Sequence, residues 1–116
     1  MEKLRELIPD FAKDIRINLS GIFSANPQSK LSKNQLYGTL LACAYACKNS
    51  ALIHVTEETT RDILSDAEIQ AAKSAACIMA MNNVYYRSMG QISDEAFKKL
   101  PAGLRMQVIG KPGIDK

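Results

Sequence analysis

Cys43, Cys47, His54 and Cys77 are the side chains of this sequence with the most reactive chemistry to account for. Two cysteines three residues apart, with a histidine close behind, raise the question of a dithiol redox pair; the third cysteine adds the question of a zinc site. A redox pair usually stands two residues apart at the N-terminal tip of a helix, where backbone amides and the helix dipole favour the thiolate. Cys43 and Cys47 are separated by three residues and lie about three turns into a helix that starts near Ser32. At that spacing the Cβ atoms are roughly 5–6 Å apart, whereas a disulfide wants about 3.8 Å. Closing the bond would distort the helix. The zinc alternative has the spacing C-x3-C-x6-H-x22-C, which matches no compact zinc pattern. The expectation is that both cysteines are small buried hydrophobes facing the core. His54, between Ile53 and Val55, reads as a partly covered or capping histidine, with no carboxylate or nucleophile placed beside it by the sequence.

The elements that would position these residues are helical nearly from end to end. Pro9 suits the first position of a helix on which Phe11, Ile15, Leu19 and Ile22 repeat at helical spacing, ended or loosened by Gly21 and "SANPQSK". Ser32 and Gln35 form a capping box for a second helix, on which Leu36, Leu40, Cys43 and Cys47 share one face. Ser50 is expected to cap a shorter helix through Thr60, and Ser65 with Glu68 forms a second capping box. The long helix that follows carries Ile69, Ala72, Ala76, Met79, Asn83 and Tyr86 along one side to Gly90. Its small apolar residues predict a central helix packed on several sides. Ser93 opens a brief helix ending near Leu100, and "AGLRMQVIG" makes a last turn or two before the loop "KPGIDK". No segment alternates with period two, so no strands are expected, and no strict internal repeat is visible.

The chain of 116 residues is the length of one domain. Hydrophobic residues make up 47% but aromatics only 6%, with no tryptophan, so the core must be built from Leu, Ile, Ala and Met. Fifteen Lys and Arg against twelve Asp and Glu alternate in sign rather than forming a basic block, which gives no reason to expect nucleic acid. The charged N-terminus has no apolar signal region, and no run approaches the roughly 20 apolar residues that span a bilayer. An odd number of cysteines without a secretion signal fits a reducing compartment, and the expectation is a soluble cytoplasmic protein. Asn82 and Asn83, set in an apolar helix, predict at least one amide bonded to a neighbouring backbone or subunit. Tyr85, Tyr86 and Arg87 could form an RNA-stacking patch, but helical spacing without surrounding Lys and Arg favours packing at the core edge.

"IPDFAKDIRINLSGIF", "LYGTLLACAYACKN", "AACIMAMNNVYYRSMG" and "PAGLRMQVIGKPGIDK" together resemble, in order and spacing, the N-terminal half of the AhpD-like alkyl hydroperoxidases, within the carboxymuconolactone decarboxylase-like group. The resemblance covers almost the whole chain. It implies an all-α multi-helix bundle, with residues 1–116 as the first half of a two-half pseudo-repeat, usually assembled as a trimer. It also implies antioxidant thiol chemistry with no cofactor bound by the chain, reduction of the peroxiredoxin AhpC, and electrons from lipoyl groups on a dihydrolipoamide acyltransferase.

The family's catalytic residues are a glutamate shortly after the loop matching "GKPGIDK", then a CxxC with a histidine between the cysteines and another histidine four residues beyond. None has a matching position in this sequence. No catalytic, cofactor-binding or metal residue is therefore assigned, and the segment with Cys43, Cys47 and His54 matches a non-catalytic helix of the family. A sequence stopping inside a connector suggests a half-protein, inactive alone, that shapes the oligomer and shields an active site contributed elsewhere. The alternative is a stand-alone helical oligomerisation or interaction module.

Overall fold

The computed structural model describes residues 1–24, 30–111 and 113. Among them the chain forms seven α-helices and no strand: α1 (Glu2–Glu6), α2 (Lys13–Phe23), α3 (Lys33–Ala46), α4 (Ser50–Thr60), α5 (Asp66–Gln91), α6 (Glu95–Lys98) and α7 (Gln107–Gly110). A 3-10 turn, Asp10–Ala12, precedes α2. The all-α architecture expected from the sequence is the one observed. Most of the expected break "SANPQSK" and of the loop "KPGIDK" lies outside the described residues. Among the described residues no helix is long and apolar enough to cross a membrane.

Both predicted capping boxes form. Ser32 Oγ accepts the Gln35 amide at 3.2 Å while Gln35 Oε1 accepts the Ser32 amide at 2.9 Å; Ser65 and Glu68 repeat the exchange at 3.3 and 2.7 Å. Asn34 Nδ2 donates to Glu68 Oε1 at 2.7 Å, so the two boxes are joined and α3 and α5 start side by side. Two caps differ from expectation by one residue. Asn49, not Ser50, accepts the Leu52 amide at 3.0 Å, and Asp94, not Ser93, accepts the Ala96 amide at 2.8 Å. In each case the neighbouring amide or carboxylate oxygen serves the free helical N–H groups, and the serine stays uncommitted. Pro9 leads only into the 3-10 turn, and α2 begins at Lys13. Arg16 reaches back from α2 to the Ile8 carbonyl and to Asp10 Oδ1, holding that turn to the helix.

The core sits where α3, α4 and α5 meet. Leu41, Ala44, Leu64 and Ala72 are buried there, with Thr56 and Thr60 of α4 fully enclosed, and Leu4 buries α1 against α4. Tyr37, Tyr45, Ile63 and Ile69 pack around Leu41. On α3 the buried stripe is therefore Tyr37, Leu41 and Ala44, not the expected Leu36, Leu40, Cys43 and Cys47. The helical period was right and its phase was not: "LYGTLLACAYAC" is apolar on nearly every side, so periodicity alone does not choose a face. Phe23 stacks edge-on against Tyr37 at 5.1 Å and ties α2 to α3. Of the expected face, Phe11 (94% exposed), Ile15 and Ile22 are open and Leu19 is half-buried.

The long helix divides in two. Its face is covered through Ala76 and bare beyond: Met79, Val84 and Tyr86 are all more than half exposed, so α5 is not packed on several sides within one chain. The radius of gyration is 17.3 Å, against roughly 13 Å for a compact domain of this length. The surface is 8777 Å², about 2,500 Å² more than a compact monomer of this mass exposes.

Leu41→Ala is expected to lower stability by about 2–5 kcal/mol, and Phe11→Ala to change it by less than about 0.5 kcal/mol. Lys48 ends α3 with φ +54°, a left-handed conformation that suits glycine. Lys48→Gly should raise stability by roughly 1 kcal/mol. Denaturant unfolding of the three variants checks this ranking.

Candidate functional site

The structure does not gather the cysteines and His54 into one site. Cys43 and Cys47 stand on α3, Cys77 on α5 and His54 on α4, and no three His, Cys, Asp or Glu side chains among the described residues could share a metal ion. All three cysteines are free and exposed, which corrects the expectation that Cys43 and Cys47 are buried. Because Leu41 and Ala44 take the core face of α3, the thiols turn to the flank, into an apolar groove of about 640 Å³ between the α1–α2 segment and α3–α4. Cys47 is also not deep in the helix. It is the C-cap of α3, and its amide donates to the Cys43 carbonyl at 3.0 Å. The amide-rich tip of that helix is at Ser32, at the far end.

His54 is 73% exposed and does have a carboxylate beside it: its Nε2 lies 3.4 Å from Glu58 Oε1, one turn on. Glu58 Oε2 accepts from Lys3 Nζ at 3.0 Å, which links α1 to α4. The Lys3 hydrogen bond and charge hold the Glu58 carboxyl below its usual range. The i, i+4 spacing of His54 and Glu58 made this pair legible in the sequence.

The densest polar cluster is one the sequence did not announce. Tyr45 of α3 donates its hydroxyl to Glu57 Oε1 of α4, and Lys73 Nζ of α5 donates to the same oxygen at 2.9 Å while lying 5.3 Å from the Tyr45 ring centre. The tyrosine hydroxyl and then Lys73 lower the Glu57 pKa; Glu57 and then Tyr45 raise that of Lys73. Both move away from neutrality. The trio is thus a clamp across three helices, α3, α4 and α5. Its members lie 12 and 16 residues apart, beyond any local spacing rule, and only the fold brings them together.

Asn82 Nδ2 points to Met106 Sδ at 3.4 Å, joining α5 to the residue before α7, while its Oδ1 is buried with no donor among the described residues. Asn82 thus bonds to a side chain further along the same chain, and Asn83 is exposed. Met79, Asn82, Asn83, Tyr86 and Arg87 line an open cleft there. Tyr85 and Tyr86 stack edge-on at 5.2 Å; Tyr85 is half-buried and Tyr86 looks outward.

No protein-family model matches the sequence. It is 43% identical over 116 residues to alkyl hydroperoxide reductase AhpD of Coxiella burnetii (strain RSA 493 / Nine Mile phase I). It is 47% identical over 116 residues to the AhpD of Azorhizobium caulinodans, and 47% over 114 to that of Frankia alni. The chain belongs to the AhpD-like family. These alignments take in 98–100% of the AhpD-like chain but 60–66% of the relatives' length.

The clamp makes stability depend on pH at both ends. Glu57 has a lowered folded pKa, so its contribution is present above its ordinary value of 4.5 and is lost as pH falls through the folded value. Lys73 has a raised one, so its contribution is present below 10.5 and is lost as pH rises through the folded value. With both side chains about one third exposed, Glu57→Gln should cost about 0.5–1 kcal/mol at pH 7 and flatten the acid limb of a melting-temperature profile. Separately, a small alkylating reagent should modify all three cysteines without denaturant, as read by intact mass.

Proposed function

We propose that this AhpD-like chain is the N-terminal, non-catalytic portion of an alkyl hydroperoxide reductase, supplying helices that shape the oligomer and shield an active site carried elsewhere. The observation that supports this most is the bare half of α5. From Met79 onward a helix begun in the core presents apolar side chains to solvent, and exposed Phe97, Leu100, Val108 and Ile109 lie further along the same stretch of chain. The surface excess of about 2,500 Å² compares with the roughly 1,000–2,500 Å² that each partner buries in obligate assemblies. Such a surface asks for cover, and the relatives' extra length is where a covering segment would be found.

In the complete enzyme, a CxxC thiolate attacks the peroxide or a partner disulfide, with a glutamate and a histidine handling the proton. That chemistry belongs to positions with no counterpart among these 116 residues. The residues present do not suit a lipoyl reductant. The hydrogen bond from the Cys47 amide to the Cys43 carbonyl keeps the pair at helical spacing, too wide for the disulfide that a lipoyl dithiol would reduce. No electron-transfer step is assigned to this segment. A homotrimer, AhpC as the oxidised partner, a dihydrolipoamide acyltransferase as the electron source and a cytoplasmic setting complete the proposal.

Purified 1–116 given dihydrolipoamide and an alkyl hydroperoxide is expected to show no turnover; turnover abolished by Cys43→Ser or Cys47→Ser would overturn the assignment. The same sample should self-associate or bind ANS. A compact monomer that binds no dye, seen by light scattering and fluorescence, would remove the main support for a missing cover.

A further inference from the structure

The clamp of Tyr45, Glu57 and Lys73 is explained by packing. The thiol-lined groove is not. Cys43 and Cys47 are both exposed and both face it, and apart from Asn49 the other lining side chains, among them Leu4, Leu7, Phe11, Ile15 and Leu40, are apolar. Their spacing is set by the hydrogen bond from the Cys47 amide to the Cys43 carbonyl. That puts the Cβ atoms roughly 5–6 Å apart, too far for a direct S–S bond, which wants about 3.8 Å. A single large atom inserted between the sulfurs takes up the difference. Soft thiolate ligands select soft, thiophilic centres, and the groove offers them no charged neighbour: its polar lining residue besides the thiols is Asn49, whose side chain caps α4. Lys48, at φ +54°, turns the chain directly after Cys47, so that Ala51 and Leu52 of α4 close the groove's end.

We infer that Cys43 and Cys47 form a dithiol clamp for a thiophilic centre carried on an apolar group, the chemical class being a trivalent organoarsenical. Two As–S bonds form and two As–O bonds of the hydrated arsenical break. Each thiol proton leaves with a hydroxide as water, and arsenic stays in its trivalent state, so no oxidant or reductant is required. The apolar substituent lies along Leu7 and Phe11 in the groove, where its burial adds to the two bonds. This chemistry is independent of the peroxidase reading and of any residue beyond this chain.

The test is intact-mass titration of purified 1–116 with phenylarsine oxide in excess glutathione, helix content being followed by circular dichroism. One phenylarsenic per chain is expected, with two thiols lost and Cys77 still free. Cys43→Ser, Cys43→Ala and Cys47→Ser should each lower retention about 100-fold or more, because the second bond gains from effective concentration. Cys77→Ser should retain the group. Leu7→Ala and Phe11→Ala should weaken the phenyl compound more than its methyl counterpart. Equal retention in the Cys43 variants, an adduct joining two chains through Cys77, or a disulfide between Cys43 and Cys47 on mild oxidation would overturn the clamp. Identical loss for phenyl and methyl compounds in the groove variants would overturn the role of the groove.

Discussion

Everything ordered in this structure depends on the junction of three helices around Leu41. Only five apolar side chains are buried in the described chain, and three of them, Leu41, Leu64 and Ala72, form one cluster. Three polar devices supplement so small a core. The joined capping boxes set α3 beside α5, the trio of Tyr45, Glu57 and Lys73 locks all three helices, and Lys3 with Glu58 adds α1 at the rim. Each is partly exposed, so none contributes as a buried ion pair would. What they supply is placement, leaving the apolar cluster around Leu41 to supply burial.

The helix starts were legible because capping is local chemistry. Ser32 with Gln35 and Ser65 with Glu68 are three residues apart and satisfy each other wherever the helix goes afterwards. The inward faces were not legible to the same degree. On α3, small apolar residues surround the axis, and the choice of Leu41 over Cys43 is made by Ile69 and Ile63 arriving from elsewhere in the chain. On α5, the stripe was read correctly as far as Ala76. Beyond it the same pattern lies open, since periodicity records which side is apolar and not whether anything covers it.

The candidate site divides in the same way. The spacing of Cys43 and Cys47 argued against a disulfide from the sequence, and the hydrogen bond between their backbones upholds that geometry. Their exposure was misread because cysteine is usually a buried residue. The Glu57 clamp was invisible because its partners come from three helices.

The joined caps of α3 and α5 also bear on how the molecule comes into being. Every residue of the buried junction lies between Leu4 and Ala72, so the frame can assemble on the ribosome while the later helices are still being made. What emerges afterwards is the open half of α5 and the short helices beyond it, rich in exposed apolar side chains. The order of synthesis thereby sets the order of docking.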